Sequence, residues 1–173
     1  MPSVQKKGAS RAGESQKASA GKRKVLQSGK YQLKNMKFLG DFMTTMGLTT
    51  TKIAEKAGLT QVTVYYWLKN DDAHLSSVEN LLKAWGYRPV FKLVSPDENP
   101  SMTEIDIDVP GARRLAFLES GMQGFDRAEL QKKMGVGTTT IYYWLSHDDI
   151  LISHIFDVAR ATGQKVKISI RPL

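Results

Sequence analysis

The apolar positions of this chain change period along its length, and the changes mark out elements. Stepping about 100° per residue from Val64, Trp67 and Leu68 fall on the side of Val64, Val62, Tyr66 and Lys69 fall opposite, and Gln61 and Tyr65 flank. A helix with one packed side and one outward side is predicted from Thr60 through the YYWL run. Ile141, Trp144 and Leu145 take the inner side of a second such helix starting at Gly137, with Thr139, Tyr143 and Ser146 outward and Thr138 and Tyr142 flanking. Gly58 and Gly135 are placed to end the preceding helices, because a left-handed turn favours a residue without a Cβ. Those earlier helices open at Thr49 or Thr50, and at Asp126, where Asp126-Arg-Ala-Glu129 reads as a capping box with Phe125 as a staple. Ser76 and Ser153 are N-cap candidates for a fourth helix in each stretch, ending at Gly86 and Gly163. Beyond these glycines the period shortens to two. Pro89, Phe91 and Leu93, and again Val166, Ile168 and Ile170, alternate with polar neighbours as in half-buried strands. Ile105, Ile107 and Val109 alternate with Glu104, Asp106 and Asp108, so a third strand is expected there.

These two series are one unit written twice. VYYWLKNDD at 64–72 and IYYWLSHDD at 141–149 lie 77 residues apart (141 − 64), and that offset holds without a gap from Gly47/Gly124 to Val94/Arg171, with 13 identities in 48 aligned positions. The expected fold is mainly α: two tandem helix-turn-helix units over 31–94 and 111–173, each followed by a short β-strand. A lone strand leaves backbone groups unpaired and an apolar face wet. The strands are therefore expected to pair with each other, or with the connector, in one small sheet, with Phe91 and Leu93 sharing a face with Ile168 and Ile170 and with Asp106 and Asp108 beside Lys165 and Lys167. The competing outcome is pairing between chains, which makes a homodimer.

Helix, glycine turn and helix over about 20 residues is the spacing of a DNA-binding helix-turn-helix, whose second helix reads the duplex. The outward groups of that helix are amide, hydroxyl, phenol and ammonium, which suit base edges and phosphates. The candidate contacts are Gln61, Val62, Tyr65, Tyr66 and Lys69 in the first unit and Thr138, Thr139, Tyr142, Tyr143 and Ser146 in the second. The segments IAEKAGLTQVTVYYWL at 53–68 and LQKKMGVGTTTIYYWL at 130–145 resemble the lambda-repressor-like (Cro/repressor type) helix-turn-helix family of bacterial and phage regulators, here duplicated. Ala54, Gly58 and Val64, and Gly135 and Ile141, match that family's small residue, turn glycine and branched apolar residue. Gln131 departs from the small-residue position, where close helix approach is needed, so looser packing is expected there. The resemblance implies sequence-specific binding of double-stranded DNA and transcription regulation, with base reading carried by Gln61, Val62, Thr138 and Thr139. It covers the two repeats, not the N-terminal tail or the connector.

Charge adds a third part. The 173 residues hold 25 Lys+Arg against 17 Asp+Glu, a net +8. Residues 1–30 carry eight basic side chains against Glu14 alone, a net +7, while 31–173 carry 17 basic and 16 acidic, a net +1. Otherwise the tail is mostly Ser, Gly, Ala and Gln, too poor in apolar surface to offset its ordering entropy, so it is expected to be disordered. Its Lys22, Arg23 and Lys24 are candidates for phosphate contact. Residues 95–110 hold five acids and no base, an acidic connector between two modules of +3 each.

The composition narrows the chemistry. The chain has no Cys, which removes thiol catalysis, disulfides and cysteine-ligated metal sites and suits a reducing cytoplasm. No apolar run is long enough to span a bilayer and no signal-peptide segment is read at the N-terminus, so neither a membrane nor a secreted protein is expected. With no phosphate loop, metal motif or nucleophile set, an enzyme is not expected, nor a cofactor. Asp71-Asp72 and His147-Asp148-Asp149 read as turn and helix-start chemistry rather than a metal site. The polybasic tail lacks the hydrophobic face or lipidation motif of a membrane patch, so nucleic acid is its expected partner. The expected location is the cytoplasm, associated with the nucleoid. The alternative is an antitoxin-like or protein-interaction module that turns the same fold toward a protein partner.

Overall fold

A computed structural model describes residues 32–96 and 113–173. The first half runs α1 (Lys37–Thr45), α2 (Thr50–Lys56), α3 (Gln61–Asn70), α4 (Leu75–Ala84) and β1 (Tyr87–Val94). The second repeats that order as α5 (Ala116–Gly121), α6 (Arg127–Met134), α7 (Thr140–His147), α8 (Ile152–Thr162) and β2 (Lys165–Pro172). Among the described residues the protein is mainly helical, with one small sheet. The first helix of each half was not separately legible, since there the equivalence shifts: Met36, Leu39 and Met43 correspond to Leu115, Leu118 and Met122, all buried and 79 residues apart (115 − 36) rather than 77.

β1 and β2 pair with each other, antiparallel, with Pro89 opposite Ile170, Phe91 opposite Ile168 and Leu93 opposite Val166. Alternation puts these six side chains on one face, as expected from their period of two. Phe91, buried in that face, meets Phe38 of α1 edge-on at 5.6 Å and stacks on Phe117 of α5 at 5.8 Å. The two halves therefore share one core beneath the sheet. Gly121 belongs to the same junction: a Cβ there would lie 2.5 Å from Cδ1 and 2.9 Å from Cβ of Leu93. Any larger residue would push α5 off the strand contributed by the first half. The expected strand at 104–109, and the pairing of Asp106 and Asp108 with Lys165 and Lys167, lie outside the described residues.

The Asp-Asp pairs organise the helix starts. Asp71 and Asp148 end α3 and α7 in left-handed backbone, φ 54° and 51°, a conformation that Asp tolerates better than most residues with a Cβ. The Asp71 carboxylate accepts the backbone N–H groups of Lys34, Asn35 and Met36 at 2.8–3.0 Å, at the start of α1. Asp148 does the same for Arg114 and Leu115 ahead of α5, at 2.8 and 2.9 Å. Neither α1 nor α5 has a cap from its own N-cap side chain. The N–H groups of the residues leading into each helix are instead satisfied by the end of another helix of the same half.

The second aspartate of each pair crosses to the other half. Asp72 accepts the backbone N–H (3.0 Å) and the hydroxyl (2.6 Å) of Ser153 in α8, and Asp149 accepts the same two groups of Ser76 in α4, at 3.0 and 2.8 Å. Ser76 and Ser153 are thus not the N-caps expected from sequence. The N-cap positions are His74 and Leu151, neither making a side-chain cap bond, and the serines sit two residues further on as donors to the opposite half. Between them Leu75 N–H donates to Ile150 O at 2.9 Å and Ile152 N–H to Ala73 O at 3.0 Å, a short antiparallel bridge. A further cross-link joins Arg114 to Glu79 of α4. Burial pushes the Glu79 carboxyl upward, against the pull of the Arg114 guanidinium.

Candidate nucleic-acid interface

The expected contacts stand on α3 and at α7, each preceded by a glycine turn. Thr49 opens α2 by accepting the N–H of Lys52 at 3.2 Å, and Gly58, at φ 68°, reverses the chain after it. The N–H of Leu59 donates to Ala54 O and that of Gly58 to Glu55 O, which satisfies carbonyls at the helix end. Thr60 then caps α3, its hydroxyl oxygen accepting the N–H of Thr63 at 3.2 Å. In the second half Asp126 accepts from the N–H groups of Ala128 and Glu129, and Gly135, also at φ 68°, closes α6. Glu129 pairs with Lys133 at 2.9 Å, and Phe125, ahead of the Asp126 cap, is 39% exposed.

All ten expected contact residues are solvent-exposed: Gln61, Val62, Tyr65, Tyr66 and Lys69, and Thr138, Thr139, Tyr142, Tyr143 and Ser146. The opposite sides are buried through Val64 and Leu68, and through Ile141, Trp144 and Leu145. Large apolar side chains are costly to leave in water, yet Val62 is 59% exposed and Tyr143 60%. The tyrosines are held by near neighbours. Tyr65 and Tyr66 meet edge to face at 5.6 Å, and the Lys69 ammonium lies 5.8 Å from the Tyr66 ring. Tyr143 stacks on His147 at 3.9 Å, and the Arg127 guanidinium lies 5.1 Å from the Tyr142 ring. Arg127 and His147, which the sequence places in a cap and a turn, stand against these exposed tyrosines. The available signal was spacing: His147 lies four residues after Tyr143, one helical turn on.

Two expectations are corrected. α7 begins at Thr140, so Thr138 and Thr139 lie in the turn before it rather than within the helix. Gly137 stands where Thr60 caps α3 and has no side-chain oxygen to start the helix earlier. Trp144 is a core anchor, 6% exposed and stacked on His154 at 4.8 Å, but its counterpart Trp67 is only half-buried. Gln131, where closer helix approach needs a small residue, is buried at 4% exposure with its amide nitrogen lacking a hydrogen-bond partner, whereas Ala54 at the same place is fully buried without such a cost.

Lys22, Arg23 and Lys24 of the tail lie outside the described residues. Among the described residues no group of three or more His, Asp or Glu is placed to hold a metal ion, and no helix is long and apolar enough to cross a membrane. The chain matches no family model, no curated protein and no solved structure.

Proposed function

We propose that this chain is a sequence-specific double-stranded DNA-binding protein, a transcriptional regulator in which α2–α3 and α6–α7 act as two helix-turn-helix units of the lambda-repressor-like type. α3 and α7 enter adjacent major grooves from a single chain. The observation that carries this reading is the reciprocal bonding of Asp72 to Ser153 and Asp149 to Ser76 directly after the two exposed helices. Contacts in which residue i meets j while j meets i belong to a two-fold interface. Regulators with this motif obtain that relation by pairing two chains, with recognition helices about one duplex turn apart, roughly 34 Å. Here covalent linkage supplies both helices. The basic tail adds phosphate contact through Lys22, Arg23 and Lys24 without specifying bases. Such a role places the protein in the cytoplasm, on the nucleoid.

Selection from a random duplex library by the full chain tests the reading. Enrichment of a preferred sequence supports it, and the absence of duplex binding rejects it. A second reading, an antitoxin-like module bound to a protein partner, draws on the exposed Val62 and four exposed tyrosines, since aromatic residues are enriched at protein interfaces. Salt separates the two. Affinity for duplex DNA falls linearly in log–log form as counterions are released, whereas a tyrosine-rich protein interface carries no such slope.

A further inference from the structure

Resting on that reading, we infer that the two halves divide the work unequally: α3 selects the base sequence, and the second half anchors the duplex backbone. The difference lies in how each half presents the same positions. Gln61 and Val62 occupy the first turn of α3, behind a cap in which Thr60 is bonded both to the Thr63 N–H and, at 2.8 Å, to the Thr63 hydroxyl. A Gln amide offers a donor and an acceptor together, and a valine offers methyl groups, which suit an adenine edge and a thymine methyl in the major groove. Held on a capped turn, these groups discriminate between base pairs, because a wrong base leaves a donor or acceptor without its partner.

In the second half the matching Thr138 and Thr139 precede α7, and Thr139 makes no side-chain cap bond. A threonine hydroxyl both donates and accepts, so it bonds to more than one base. The fixed groups of this half are of another kind. His147 Nδ1 lies 2.9 Å from Tyr143 O and 3.0 Å from the Ser146 hydroxyl, and the ring stacks on Tyr143, so it is held in place. The Ser146 hydroxyl donates to the same carbonyl at 2.9 Å, and Arg127 is steadied over Tyr142. The Arg127 guanidinium beside Tyr142, with the exposed Tyr143, supplies donors for a phosphate-contacting surface, and phosphate contacts position a protein without specifying sequence. Because the halves are joined in one order, the protein then lies on its site in one orientation.

The test uses the full chain and a random duplex library, followed by titration of the selected duplex and a scrambled one. The expected selection concentrates base preference in one half of the site. Gln61→Ala should lower affinity for the selected duplex by about 10-fold or more with little effect on the scrambled one, and the paired change Thr138→Ala with Thr139→Ala should alter the ratio between duplexes by less than about 3-fold. Arg127→Ala should weaken both duplexes by the same factor and reduce the magnitude of the salt slope by about 1. Circular dichroism melting of each variant separates loss of contact from loss of fold. Equal base preference in the two halves, or loss of preference on changing the threonines, would overturn the inference while leaving DNA binding intact. Binding to no duplex at all would overturn the functional reading as well.

Discussion

The carboxylate of Asp72, at the end of the first half's exposed helix, takes both the backbone N–H and the hydroxyl of Ser153 in the second half, and Asp149 and Ser76 repeat the contact in reverse. A helix start thus receives its cap from the opposite repeat. The capping aspartate directly follows the residue that closes α3 or α7, so the contact that joins the halves also orients the two exposed helices.

Breaking either contact should destabilise the whole protein, not one half. Asp72→Ala strips Ser153 of a charged acceptor and is expected to cost about 1.5 to 3 kcal/mol, the range for hydrogen bonds to charged groups. Asp149→Ala should cost a similar amount. Urea denaturation followed by tryptophan fluorescence checks this, and a single transition with a lowered midpoint is the expected form. Two separated transitions in the parent protein would show that the halves fold independently.

The same contact predicts an acid limb. Burial works against charge on Asp149, but the Ser76 N–H and hydroxyl, the Ile150 N–H and the nearby His74 together hold its pKa below the ordinary carboxylate value. A carboxyl depressed in the folded state stabilises fully above the unfolded pKa, about 3.9, and that contribution is lost as pH falls through the folded value. Stability of the parent should therefore drop below about pH 4 more steeply than that of Asp149→Asn. Urea midpoints measured from pH 2 to 7 decide it, with parallel curves counting against the role given to Asp149.

Most of the elements, and the need of the two strands for a pairing partner, were legible because they follow from period. Phe91 and Ile168 alternate with polar neighbours, and an unpaired strand has nowhere to put its backbone groups. The outward faces of α3 and α7 were legible for the same reason. What sequence did not disclose was long-range: a serine near a helix start reads as a cap, and nothing local shows that Ser76 instead faces an aspartate 73 residues away. α7 starts two residues later than the repeat predicts, because Gly137 stands where Thr60 caps α3.

The tryptophans should behave differently despite their equivalence. Trp144→Ala empties a buried site that also stacks on His154 and is expected to cost about 3 to 5 kcal/mol. Trp67→Ala, at a half-buried position, should cost clearly less. Thermal melts of both variants test the difference, and equal losses would contradict the burial that distinguishes them.

Removal of residues 1–30 should lower affinity for every duplex by a similar factor. If the tail neutralises about four phosphates, the magnitude of the slope of log affinity against log salt falls by roughly 3 to 4. Sequence preference should persist through Gln61 and Val62. Unchanged affinity and slope would mean that the tail takes no part in binding, and a selective loss of one sequence preference would mean that it reads bases or groove shape.

The central claim is that one chain carries both duplex-contacting helices of a complete site. Sedimentation equilibrium of the full chain with its selected duplex, set beside a footprint on the same duplex, measures that directly. The expected result is one chain per duplex protecting two segments about one helical turn apart, roughly 34 Å between centres. Two chains per duplex, each protecting a single segment, would contradict it.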